Sequence, residues 1–343
     1  MCQLENKYPF LLSRGHQFKK ENSLSRYFIW YKMENITASN LTNITNNISI
    51  SNVAHEKTQD ESSVILYMVV VVTNIIACPF TIVLNVLVIT AVKRRPRLQT
   101  NANITLSCLA VTDALTGLTA QPFCALWHMF WILGDNCVAL YAVFIYSFTF
   151  LAPCSLLHLV MVVFERLVAI KFPFRYPFIV TTQNIKLAVL FCWSYSVLFC
   201  VVLRLGNGTT TLISLWAAHV PVFSFIFIFF SYVILYFETR KHQRKIKAQQ
   251  LPQEEVERFV KDNRALKTTA YVVGSIFLCL LPACVYYVFR SFGIHVVGIS
   301  YLVVLRTFLM LNSFLNPLIY FWRQKEMRRY LFRFSIEAVH TSN

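Results

Sequence analysis

The stretch Asn312-Ser313-Phe314-Leu315-Asn316-Pro317-Leu318-Ile319-Tyr320 sets two amides, a hydroxyl, a proline and a phenol in a long apolar run that closes on Trp322-Arg323. Proline inside a helix removes a backbone donor and clashes with the preceding turn, so the carbonyls it frees need partners such as side-chain amides or trapped water. Asn312 and Asn316 lie one turn apart on a single helix face and can offer such groups. A passive kink would need the proline alone. Polar groups gathered around it at membrane depth read as a functional network by default.

Three further positions extend that chemistry. Asn85 stands in Thr81-Ile82-Val83-Leu84-Asn85-Val86-Leu87-Val88, and Asp113 closes Leu109-Ala110-Val111-Thr112-Asp113. An ionised carboxylate near mid-membrane costs several kcal/mol unless it is paired, hydrated or neutralised. Asn85, Ser155, Asn312, Ser313 and Asn316 are its candidate partners, and their oxygens together suit a small hard cation such as sodium; a protonated Asp113 in a hydrogen-bonded cluster is the alternative. The third position is Glu165-Arg166, an adjacent acid and base at the end of an apolar helix, which read either as an interfacial snorkelling pair or, with Asp262, as a bistable ionic contact between two helices.

The elements that hold these residues follow from composition. The chain is 56% hydrophobic and 15% aromatic, with mean hydropathy +0.53. Several of its runs are long enough to cross a hydrocarbon core of about 30 Å. We read an all-α integral membrane protein, a seven-transmembrane helix bundle crossing at 63 to 92, 102 to 126, 138 to 168, 187 to 204, 212 to 238, 268 to 290 and 298 to 321. The net charge of +16 tracks topology rather than nucleic acid. Lys93, Arg94, Arg95 and Arg97, then Lys171, Arg175 and Lys186, then the many bases between 240 and 267, and finally the tail, all fall on one side, so the C-terminus is expected in the cytoplasm and the N-terminus outside. Residues 1 to 62 read as an outer disordered tail, 63 to 321 as the membrane domain and 322 to 343 as a cytoplasmic tail. The outer tail carries the glycosylation sequons of Asn35, Asn40, Asn43 and Asn47, and Asn207 offers another on the outer rim. Lys7, Arg14, Lys19, Lys20, Arg26 and Lys32 would resist export, so translation is expected to start at Met33.

Asn85, Leu109-Ala110-Val111-Thr112-Asp113, Glu165-Arg166-Leu167, Trp193, Pro221, Cys279-Leu280-Leu281-Pro282 and Asn316-Pro317-Leu318-Ile319-Tyr320 together resemble the helix signatures of rhodopsin-like, class A G-protein-coupled receptors, one per crossing and in order. The resemblance implies a ligand pocket between the outer halves of the helices and an inner cleft for a heterotrimeric G protein. It implies that Arg166 is released from Glu165 and Asp262 on activation, with Pro221, Pro282, Asn312, Asn316, Pro317 and Tyr320 relaying the change. It also implies a short amphipathic C-terminal helix after Tyr320 that lies on inner-leaflet lipids. Leu167, Leu280 and Phe229 depart from the residues usual in the family, and residues 205 to 216 hold no Cys for its usual outer disulfide. That missing bridge and the short outer loop give a loose likeness to the melanocortin, cannabinoid and lysophospholipid branch.

Ligand chemistry is bounded by the same resemblance. Phe148 stands where amine receptors carry an Asp, and Met310 where opsins carry the retinal lysine. Arg306, two to three turns inside the seventh crossing and near Arg290, favours a carboxylate or phosphate, so an anionic lipid, acid or peptide is expected; the alternative is that Arg306 snorkels or pairs internally. Two rival classes are weaker. A secondary transporter would show repeated halves, and an intramembrane enzyme would need converging nucleophile and base; Ser155 and His158, one turn apart, read as packing.

Overall fold

The computed structural model describes residues 57–134, 137–205, 211–248, 274, 277–289, 292, 299–323 and 328–330. These residues form helices α1 (Lys57–Arg94), α2 (Asn101–Leu118), α3 (Ala120–Ile132), α4 (Val138–Lys171), α5 (Tyr176–Ile179), α6 (Thr182–Leu205), α7 (Thr211–Ala248), α8 (Phe277–Phe289) and α9 (Ile299–Arg323). Five of them, α1, α4, α6, α7 and α9, are each long and apolar enough to cross a membrane. The second crossing is shared by α2 and α3, and the sixth is described only over α8 and Gly274.

The division of the second crossing has a local cause. Pro122 has no N–H to give to the turn before it. The Thr119 backbone leaves the helical region at φ −124 and ψ −68, while its hydroxyl donates to the Leu115 carbonyl at 2.8 Å. Beyond the break α3 runs to Ile132, further than the 126 expected from hydropathy, because Trp127, His128 and Trp131 are covered by neighbouring rings rather than by water: Tyr67 meets His128 at 5.3 Å and Trp131 at 4.6 Å between ring centroids.

Helix α4 is the central post, packed against α2, α3, α6, α7 and α9. One core cluster unites Leu109, Leu159, Val163, Ile228, Leu280 and Tyr320, and a second, further out, unites Tyr67, Ala120, Phe144, Phe148 and Met310. Apolar residues on the outward faces, such as Ile65, Val69, Val72 and Phe80 of α1 and Leu187, Leu190 and Phe191 of α6, are exposed, as lipid-facing positions require. Helices α1 and α2 approach closely at Gly117 in α2, where an added Cβ would lie 2.9 Å from Ile82 Cγ1 and 3.2 Å from Thr81 Cβ.

That approach yields a prediction. Gly117→Ala gains about 1 kcal/mol of helix propensity but overpacks the contact with α1 at a cost of about 1–3 kcal/mol. Thermal midpoints in detergent are therefore expected to fall in the order wild type, Gly117→Ala, Gly117→Val; a midpoint raised by alanine would show that the two helices are not in contact there.

Candidate functional site

Asp113 sits on a face of α2 that is buried along its length, from Leu109 and Ala110 through Thr112 to Thr116 and Gly117. Its carboxylate is fully buried and satisfied from two other helices. Oδ1 accepts from Ser155 Oγ of α4 at 3.0 Å and from Ser313 Oγ of α9 at 2.7 Å, while Oδ2 accepts from Asn316 Nδ2 at 2.9 Å. Three donors to one carboxylate replace much of the water it lost on burial. Of the five expected partners, these three bond Asp113 directly and two do not.

Asn85 does something different. Pro317 lacks the N–H that would close the helical bond to the Ser313 carbonyl four residues earlier. Asn85 Nδ2 donates to that carbonyl at 3.0 Å, and to Thr81 O at 2.8 Å, so the first crossing supplies the partner that the proline removed. Asn312 is buried beside the cluster with its Oδ1 lacking a hydrogen-bond partner, and Asn316 Oδ1 is in the same position. A cavity of about 20 Å³ lies against Ser155, Asn312 and Ser313 and is roofed by Phe148 and Met310. That volume admits a water molecule or a small ion. Among the described residues no three His, Cys, Asp or Glu side chains converge as a metal site, so any cation here would be held by one carboxylate with hydroxyl and amide oxygens.

Tyr320, one turn inward of Asn316, is buried with its hydroxyl lacking a partner and lies within electrostatic reach of both Asp113 and Arg166. It is thereby within reach of two polar clusters among the described residues. The inner one is Glu165, Arg166 and Tyr176. Arg166 Nε is 3.1 Å from Glu165 Oε2, an ion pair without hydrogen-bond geometry, and the Tyr176 hydroxyl donates to Glu165 Oε1 at 2.6 Å. Tyr176 belongs to α5, a single turn in the connection between the third and fourth crossings. Val180 just beyond it packs with Val168 and Ile185, and its carbonyl accepts from Asn101 Nδ2 at 2.5 Å. Burial first, and then the adjacent Glu165 carboxylate, hold the Tyr176 phenol above its ordinary range, so it remains a neutral donor. No signature marked Tyr176 in the sequence; the prolines at 173 and 177 on either side of it were the available sign of a fixed turn.

The remaining expected residues separate into three groups. Asp262, Arg290 and the sequon residues Asn35, Asn40, Asn43, Asn47 and Asn207 lie outside the described residues. Pro221 is buried within α7, and Pro282 is half-buried in α8 two residues after Leu280, which is itself buried in the main core. Phe148 is buried in the outer cluster, and Arg306 is half-buried in α9 within electrostatic reach of Cys124 and His128 of α3. His158 is not aimed at Ser155: its Nδ1 bonds the Cys154 carbonyl at 2.8 Å, and Ser155 is engaged by Asp113. Cys137 and the other described cysteines form no disulfide.

Comparison with known proteins places this geometry. The model for the seven-transmembrane receptors of the rhodopsin family matches residues 84–214 and 206–320. Similar relatives include a trace amine-associated receptor 13c of Danio rerio, 26% identical over 71% of this chain and 79% of the relative. A histamine H2 receptor of Rattus norvegicus is 26% identical over 76% of each chain, and an adenosine receptor A2a of Canis lupus familiaris is 26% identical over 71% of this chain and 66% of its own.

Removing the Tyr176 hydroxyl tests the inner cluster. A hydrogen bond to a charged group contributes about 1.5–3 kcal/mol, so in Tyr176→Phe the amides of residues 172 to 180 are expected to exchange with deuterium at least tenfold faster. Unchanged exchange would mean that Val180 and Asn101 hold the turn without the Glu165 contact.

Proposed function

Because the chain belongs to the rhodopsin family of seven-transmembrane receptors, we propose that it is a multi-pass plasma-membrane receptor that carries the signal of an extracellular ligand to a heterotrimeric G protein. The observation that carries this reading is the pair of buried polar clusters at two depths of one bundle, with Tyr320 within reach of both. The outer cluster ties α2, α4 and α9 through Asp113; the inner one holds Arg166 against Glu165 at the mouth of α4. A shift of α9 that reorganises the first changes what the second can hold, and release of Arg166 from Glu165 frees a cation for the G protein. The N-terminal tail with its sequons faces outward, and the basic tail faces inner-leaflet lipids. A transporter, the alternative considered from hydropathy, is not favoured by the family match.

For the ligand, the named relatives include amine and adenosine receptors, and these names lend no support to an acid. The buried Phe148 argues against carrying the amine over, since no carboxylate stands at that position to pair with an ammonium. We propose an amphipathic anion, with an apolar part against Phe148 and Met310 and a carboxylate or phosphate on Arg306. The residues around Asp113 also fit a sodium ion: Ser155, Asn312 and Ser313 line a cavity that admits a small ion, the Ser155 and Ser313 hydroxyls bond the Asp113 carboxylate, and the amide oxygens of Asn312 and Asn316 are unpartnered. When bound, sodium would supply the positive charge that the buried carboxylate otherwise lacks.

The test is G-protein nucleotide exchange in cells expressing the chain from Met33, with Arg306 intact or as Arg306→Ala, against lipids, carboxylates, peptides and amines. Truncating one partner of a desolvated charge pair costs about 2–5 kcal/mol, so an acidic agonist is expected to lose at least tenfold in potency in the variant. Activation by an amine, or by an acid indifferent to Arg306, would remove the anionic reading and leave the receptor reading in place.

A further inference from the structure

The first and second crossings run antiparallel, and two contacts fix their register. Tyr67 of α1 meets His128 of α3, and Cys78 of α1 donates through Sγ to the Gly117 carbonyl at 3.2 Å. Eleven residues forward along α1 correspond to eleven back along the second crossing, across the break at Thr119. The same register puts Asn74 opposite Gln121.

Both side chains are entirely buried, 0% exposed, and each is oriented by one bond. Asn74 Nδ2 donates to the Val70 carbonyl at 2.9 Å, and Gln121 Nε2 reaches the Met310 carbonyl of α9 at 3.4 Å. Turning either amide over would set its oxygen against that carbonyl, so Asn74 Oδ1 and Gln121 Oε1 are fixed as acceptors. Neither has a hydrogen-bond partner. Two unpartnered, buried amide oxygens at one level of adjacent helices are costly, and a single donor of two hydrogen bonds would satisfy both.

We propose that Asn74 and Gln121 form a buried water-binding site that joins α1 to α3, separate from the cluster at Asp113. The occupant is a neutral hydrogen-bond donor because the site offers acceptor oxygens and no carboxylate, and the guanidinium of Arg306 acts on this end of α3 at Cys124 and His128. Through Gln121 the site also bears on α9 at Met310, one turn outward of Ser313. Three crossings thus meet twice along α9: at Met310 through this site, and at Ser313 through Asn85 and Asp113.

A double-mutant cycle tests the site. Asn74→Leu and Gln121→Leu are each expected to lower the thermal midpoint by several degrees, and the double variant by clearly less than the two losses together, because the second change removes an oxygen the first has already left dry. Additive losses would overturn the proposal, since the two amides do not touch directly and would then share nothing. Should the leucines prevent folding, Asn74→Ser and Gln121→Ser complete the same cycle. Running it in sodium chloride and in choline chloride separates the occupant: equal coupling in both salts fits water, and coupling confined to sodium assigns an ion and contradicts the proposal. Density for a bridging atom between the two amides in an experimental map is the direct positive result; amides rotated into mutual contact would be the negative one.

Discussion

A carboxylate in the middle of an apolar bundle must be satisfied or it will not stay charged, and the rest of this molecule is arranged around that requirement at Asp113. The hydroxyls of Ser155 and Ser313 and the amide of Asn316 meet it from α4 and α9. Each bond is a tie between crossings that are far apart in sequence, and a bond to an ionised acceptor is stronger than a neutral one. Membrane helices gain little from burying apolar surface against one another when lipid is equally apolar. Polar ties of this kind therefore select one helix arrangement from many that pack equally well.

The backbone obeys the same accounting. Pro317 takes a donor out of α9 at the level where Asp113 needs partners, and Asn85 returns one to the stranded Ser313 carbonyl. Ser313 is thereby held twice, by its hydroxyl on Asp113 and by its carbonyl on Asn85. A residue restrained at both ends by other helices cannot shift without moving them, which is the property a relay needs. Tyr320 is carried by the same helix, and its partnerless hydroxyl lies within reach of the Arg166 cluster that Glu165 and Tyr176 hold at the inner mouth. The proposed coupling would take a physical form: two polar clusters, one helix segment beyond a proline, and a phenol within reach of both.

Much of this was legible in the residues. The crossings follow from apolar runs, and the members of the outer cluster were visible as the few polar groups embedded in those runs. What hydropathy could not decide was who bonds whom. Asn85 and Asn312 were as good on paper as Ser155, but Asn85 is claimed by the carbonyl that Pro317 frees, and Asn312 faces the cavity instead. Tyr176 escaped notice because its role depends on a loop turn docked by Val180, a tertiary contact with no periodic signal. The Asn74 and Gln121 pair depends on inter-helix register, and register is not written in either helix alone. The length of the second crossing was underestimated because Trp127 and His128 look interfacial until Tyr67 and Phe144 are seen to cover them.

We propose that the Asp113 cluster is a cation-responsive tie between the second, third and seventh crossings. The direct measurement is the thermal midpoint of the purified chain in sodium chloride and in choline chloride at equal ionic strength, for the wild type and for Asp113→Asn. A cation-responsive tie predicts a higher midpoint in sodium for the wild type and the same midpoint in both salts for the variant. A wild type indifferent to the cation, or a variant that keeps the sodium effect, would contradict it.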